Sequence, residues 1–171
     1  MARLNLSQAQ SITDPFITHD WNIIFTSIPG AAGLDLRQLS MRAQTSSIPG
    51  ITVEPTVVAL KDVEVSFALR QTWPKTLSCT FLEVRDMTTR DAFLAWAKFA
   101  KNMRTGVGAY KSEYAIDVIM ELYDATDSVI RIVKLLSAWP SEVGELGLES
   151  PGNPGYLPVT FTYDATDENG E

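Results

Sequence analysis

Histidine and cysteine are almost missing from this chain: His19 and Cys79 stand alone among 171 residues. A single cysteine cannot close a disulfide within one chain or build a multi-cysteine zinc site, so the fold must rest on its apolar core, and a reducing compartment is the simpler expectation. Cys79 has no histidine or cationic pair beside it in sequence to lower its pKa, and it reads as packing. One histidine leaves acid–base chemistry a single candidate, His19 beside Asp20, and no serine or cysteine in a nucleophile pattern accompanies it. Runs of about 18 apolar residues are also absent, and Met1 to Ser11 lack the apolar core of a signal peptide, so a soluble chain made in the cytoplasm is expected. Cations are scarce: 14 Lys and Arg against 21 Asp and Glu give a net charge of -7, which opposes tight non-specific binding to nucleic acid. The glycines at 106 and 108 follow a helical pattern instead of preceding one and have no Lys-Ser/Thr after them, so no phosphate loop is built. Neither a metal nor a cofactor is expected.

What is present suits one domain, large enough to remove roughly 70% of its extended-chain surface from water. Residues 1–14 are polar and read as a flexible or partner-ordered arm, 15–164 as a single β domain, and 165–171 as a disordered acidic tail. Phe16 to Ile28 is rich in aromatic and β-branched residues and reads as a first strand; Leu34 to Ala43 fits a strand or a helical turn. The central stretch is Lys111 to Pro140. Tyr114, Ile116, Val118, Met120 and Leu122 alternate with Asp117 and Glu121, Asp124 to Ser128 favour a reversal, and Val129 to Leu136 resumes with Ile130, Ile132 and Leu136 on one face before a Trp139-Pro140 stop.

Ser46 to Asp62 is apolar but broken. Ile48, Ile51, Val53, Val57, Val58 and Leu60 are interrupted by Pro49, Gly50 and Pro55, which fits either an edge hairpin folded over the chain's own core or an arm whose apolar side is buried on another subunit. Val63 to Trp73 alternates cleanly, as do Thr76 to Val84 and Leu157 to Tyr163, and the Gly/Pro-rich Ser141 to Leu157 reads as a long connection. The spacing predicts one helix over Thr89 to Met103, with a core stripe of Phe93, Trp96, Ala97, Ala100 and Met103. Thr88 or Thr89 is placed to cap its start and Gly106 to stop its end.

The order of these motifs carries a resemblance. An F-x-x-W helix (Phe93, Trp96), a hairpin ending in Ala138-Trp139-Pro140, a Gly/Pro-rich connection and a closing Phe161-Thr162-Tyr163-Asp164 strand are similar to the tail tube proteins of contractile-tailed bacteriophages, over about Phe16 to Asp164. The resemblance implies a mainly β fold: a β-sandwich or half-barrel with one flanking α-helix, joining its neighbours into a ring-shaped β-barrel. It implies homo-hexameric rings stacked into a tube inside a tail sheath, with baseplate and tail terminator proteins as further partners. The subunit would be a virion protein assembled in the host cytoplasm. By position, Ser46 to Asp62 resembles the loop that reaches a neighbouring subunit or ring, and Val63 to Arg70 with Tyr114 to Leu135 resemble lumen-forming strands.

On that assignment Glu64, Ser66, Arg70, Asp117 and Glu121 are the lumen-facing candidates. Their carboxylates would repel phosphates and let DNA pass without specific binding; an ordinary solvated sheet face explains them equally well. The expected function is structural and non-enzymatic, a conduit for DNA ejection. A tube subunit of a phage-like bacteriocin or type VI secretion apparatus is the alternative with the same fold. A small hydrolase or ligand-binding β-domain using His19 is the alternative from another class.

Overall fold

The computed structural model describes residues 20–31, 33, 35–148 and 152–168. His19 and the 1–14 segment lie outside them. In chain order the elements are β1 (Trp21–Phe25), α1 (Leu36–Met41), β2 (Ala43–Thr45), β3 (Thr52–Leu60), β4 (Val63–Thr72), β5 (Thr76–Leu82), α2 (Thr88–Ala100), α3 (Lys111–Tyr114), β6 (Ile116–Tyr123), β7 (Val129–Val143), β8 (Tyr156–Thr162) and β9 (Ala165–Glu168). The chain is mainly β. A seven-stranded sheet runs β1-β6-β7-β8-β5-β2 with β9 also on β7, while β3 and β4, among the described residues, pair only with each other.

The sheet curls around β7, 15 residues long. Its first part pairs with β6, from Tyr123 opposite Val129 to Ile116 opposite Ala138; its last part, from Trp139 to Val143, pairs with β8. The handover falls at Ser137, which sits in the left-handed region at φ 55°. Its N–H, turned out of the ladder, is taken by Asp117 Oδ1 at 3.0 Å. This bulge resets the alternation, so the core receives Val133 and Leu135 and then Ala138 and Pro140. The expected face of Ile130, Ile132 and Leu136 is therefore wrong: Ile130 is 54% exposed and the core takes the opposite parity. Nor does the strand stop at Trp139-Pro140. Past Ala138 it has only β8 as a strand neighbour, an edge position where a residue without an N–H is tolerated, and a second bulge follows between Pro140 and Glu142.

Helix α2 flanks this sheet, lying on β7 and β8. Phe93 and Trp96 are fully buried, as expected, in a cluster with Phe25, Phe81 and Phe161; the Phe81 and Phe93 ring centroids are 4.9 Å apart. Trp96 also donates its indole N–H to Tyr114 O at 2.7 Å. Ala97 and Ala100 are half-buried, and Met103 departs from the expected stripe altogether: the helix ends at Ala100 and Met103 is 97% exposed. Gly106 does adopt a left-handed φ of 72°, but in the turn beyond the helix, where its N–H meets Asn102 O.

The helix start differs too. Met87 at φ 55° holds the cap position without a side-chain bond, and Glu83 reaches across to accept from the N–H groups of Thr89 (3.1 Å) and Arg90 (2.7 Å). The hydroxyls of Thr88 and Thr89, expected as caps, instead accept from Arg42 Nη1. The ambiguous Leu34 to Ala43 stretch resolves as α1, because Asp35 Oδ1 accepts from Arg37 N and Gln38 N and fixes its first turn. Residues 165–168 of the expected disordered tail are ordered as β9, paired antiparallel with Val133–Leu136 of β7. Arg131 offsets the acidity there by binding Glu168 at 2.9 Å. None of the described helices is long and apolar enough to cross a membrane.

Candidate assembly surface

Strands β3 and β4 make a hairpin apart from the main sheet, nine and ten residues long, reversing at Lys61 (φ 55°) and Asp62. At this length it extends about 30 Å. Register and alternation give it two unlike faces. On one, Leu60 is opposite Val63, Val58 opposite Val65 and Thr56 opposite Phe67, a continuous apolar strip. On the other, Ala59 is opposite Glu64, Val57 opposite Ser66 and Pro55 opposite Ala68; a bulge at Leu69 then returns Arg70 to the first face, opposite Glu54, which it binds at 3.2 Å.

The apolar strip is uncovered. Val63 is 61%, Phe67 51% and Leu69 69% exposed, and Ile48, Ile51, Val53, Val57, Val58 and Leu60 are exposed with them. Water disfavours such a surface, and an isolated two-stranded hairpin is marginally stable at best. The hairpin folded over its own core, one of the two readings of Ser46 to Asp62, is not what the chain adopts. An extended arm is.

The expected lumen candidates fall into two groups. Glu64 and Ser66 share the mixed face of the arm, and Arg70, past the bulge, lies on the face of the apolar strip. Asp117 and Glu121 lie on β6, facing away from the core that Val118, Met120 and Leu122 enter. No strand pairing joins the two groups. Both β6 carboxylates have local work: Asp117 holds the Ser137 bulge, and Glu121 accepts from the Tyr123 hydroxyl at 2.5 Å. That bond, ahead of burial, raises the Tyr123 pKa, because losing the phenolic proton would set two negative charges side by side.

A corner that the sequence reading missed holds the arm's return root. Tyr163, fully buried, donates its hydroxyl to Pro74 O and its N–H to Lys75 O at 3.0 Å, and Trp73 Nε1 donates to Asp164 O at 3.1 Å. The Asp164 carboxylate takes both its oxygens to Lys111 Nζ, at 2.6 and 2.5 Å. The lysine hydrogen bond holds the Asp164 pKa below the usual carboxylate range. A depressed acid stabilises the fold above its unfolded pKa, and that contribution fades as pH falls through the folded value, so the Asp164 share of this corner is lost in acid, while Tyr163, whose pKa burial raises, loses its share in alkali. Tyr163 and Asp164 belong to the closing motif already singled out; their partners are 50 to 90 residues away in sequence, where no local pattern points.

Among the described residues no group of three His, Cys, Asp or Glu is placed to hold a metal. Cys79 is buried mid-strand, and burial pushes its thiol up to about 11 despite a contact with Ser46 Oγ at 3.1 Å. It therefore carries its proton throughout the neutral range. Native protein at pH 8 is expected to resist iodoacetamide, with labelling only after denaturation; stoichiometric alkylation of the folded chain, read by mass spectrometry, contradicts the packing role.

No family model matches the chain. Its sequence is 26% identical over 144 residues, 83% of this chain and 81% of the other, to a tail tube protein of Serratia phage KSP90. Its fold superposes with TM-score 0.66 on a chain of the anti-feeding prophage tube-terminating cap, at 9% identity and 93% coverage of both chains. These two chains share one fold. A chain of the sheath-tube complex of an extracellular contractile injection system, in its extended state, shares it as well: TM-score 0.60, 8% identity, 98% of this chain and 99% of that one. Of the two architectures that the resemblance implied, a β-sandwich or a half-barrel with one flanking helix, the mainly β chain adopts the curled half-barrel.

Proposed function

We propose that the chain is a structural, non-enzymatic subunit of the inner tail tube of a contractile phage tail. Subunits close into hexameric rings, the rings stack inside a sheath, and the bore conducts DNA during ejection. The observation that carries this reading is the arm: a hairpin about 30 Å long whose outer half bears an apolar strip that a lone subunit leaves in water and an identical neighbour can cover. Head-to-tail contacts of this kind close a ring when the rotation allows and repeat along an axis when the ring faces match. The sequence relationship to a phage tail tube protein supports the choice of a virion tail component, assembled in the host cytoplasm with sheath, baseplate and terminator proteins. The fold's presence in a sheath-tube complex of an injection system favours, as a second reading, a bacteriocin or secretion tube with another cargo.

Negative-stain microscopy of the purified protein tests both. Rings or tubes are expected, and a monodisperse monomer at high concentration overturns them. The cargo is tested separately, by reversing Glu64 and Glu121 to lysine, which leaves the Asp117 tie to the Ser137 bulge in place. Tubes should persist while genome ejection slows, because a cationic bore holds phosphates. Unchanged ejection kinetics removes the acidic bore.

A further inference from the structure

We propose that Trp73, Tyr163 and Asp164 form a clasp that sets the direction of the arm and couples it to the docking of β9, so that the two move as one conformational unit. This goes beyond the tube reading, since it concerns the geometry of a single subunit.

The arm leaves the body through two roots of unequal strength. The outgoing root passes through Pro49 and Gly50, with Ile48 and Ile51 exposed on either side. Its side-chain tie to the body is the weak contact between Ser46 Oγ and Cys79 Sγ. The return root is held three ways within three residues: the Trp73 indole to Asp164 O, the Tyr163 hydroxyl to Pro74 O, and the Tyr163 N–H to Lys75 O. Neither the indole nor the phenol bond belongs to a strand ladder. A buried tyrosine has no water to turn to, and Pro74 offers a carbonyl alone, so the pair is matched in donor and acceptor.

The other side of the clasp is the start of β9. Asp164 is the residue before Ala165, which opens the pairing of β9 with β7 opposite Leu136. Its N–H is bound to Leu136 O at 3.0 Å and its carboxylate to Lys111. Shifting the backbone at Asp164 therefore moves the acceptor of the Trp73 indole and the first pair of β9 together. Leverage makes this consequential, since a tilt of about 10° at the root carries the tip of a hairpin about 30 Å long through about 5 Å, more than one strand spacing.

The test places spin labels at Asp62→Cys on the arm tip and Ser112→Cys on the body, with Cys79→Ala, in the full chain diluted into excess unlabelled chain so that only distances within one subunit are read. The parent should give one narrow distance distribution. Trp73→Phe with Tyr163→Phe, which keeps both rings and removes both donors, should broaden it severalfold and speed hydrogen exchange at Thr166 to Glu168. An unchanged distribution overturns the clasp. Broadening with β9 exchange unaltered overturns the coupling. Should the double variant fail to fold, single Trp73→Phe is read by the same two measurements. None of these readouts needs rings or tubes, so a failure here leaves the assembly reading untouched, and the reverse also holds.

Discussion

Excising the arm from Ile51 to Thr72 and closing the gap with a short Gly-Ser link should leave a folded subunit that no longer forms tubes. The outermost pair of the hairpin is Thr52 with Thr72, so the cut falls at its base, and the link replaces the two strands that this pair joins. None of the arm's residues belongs to the buried core, and β3 and β4 hydrogen-bond only to each other. Their loss should leave the body folded, because it removes no contact of the buried core. Assembly is different: the strip of Val58, Leu60, Val63 and Phe67 is what a neighbour would cover, so tubes by negative stain should fall to none. Circular dichroism and thermal melting check the first half and microscopy the second. If the shortened chain unfolds, the arm is part of the core after all.

The converse result is expected at Trp96. Replacing it with alanine empties the middle of the aromatic cluster, where large-to-small changes cost about 3–5 kcal/mol. It also leaves Tyr114 O without the indole donor, adding roughly 1–3 kcal/mol if no water replaces it. Against a total stability of about 5–15 kcal/mol for an ordinary domain, that is enough to unfold much of the population at physiological temperature. Urea denaturation followed by circular dichroism measures it. Trp139→Phe is the control, because Trp139 is only partly buried and meets Tyr114 edge-on at 5.7 Å. A loss below about 1 kcal/mol at Trp96, near the centre of the distribution for arbitrary substitutions, would contradict its place in the cluster.

The two experiments separate what was legible in the sequence from what was not. Phe93 and Trp96 could be read as core because a helix repeats its face every three to four residues. The same is true of Thr76 to Leu82 and the closing strand, where one unbroken period of two decides the faces, whereas Val63 to Thr72 keeps that period only as far as Ala68. β7 defeated that reading for two physical reasons. Apolar residues occupy both of its faces over Val129 to Leu136, so periodicity alone does not choose between them, and the Ser137 bulge reverses the alternation partway along. β9 was hidden by composition: Asp167 and Glu168 look like solvated tail, but an open edge on β7 supplies hydrogen bonds that no acidic sequence advertises. Met103 and the α2 cap failed for a similar reason. Glu83 and Arg42 come from elsewhere in the chain to settle which groups at the helix start are satisfied, and local pattern cannot see them.

The arm's apolar residues were visible early as a list, and their arrangement was not. Only the register across the Lys61-Asp62 reversal puts Val58, Leu60, Val63 and Phe67 on one side and Val57 with Glu64 on the other. The candidate lumen residues Glu64 and Ser66 thereby share a face, Arg70 is turned to the other one by the bulge, and Asp117 and Glu121 are held apart from them on β6.

A mechanical consequence follows from β7 serving β6 along its first half and β8 along its second. The two halves of the curled sheet have no seam at which one could slide over the other, since any shear would have to stretch a single covalent backbone or strip both ladders at once. A subunit built this way passes axial load from one end to the other as a stiff wedge, which is the behaviour a column of stacked parts needs if it is to be driven forward without buckling.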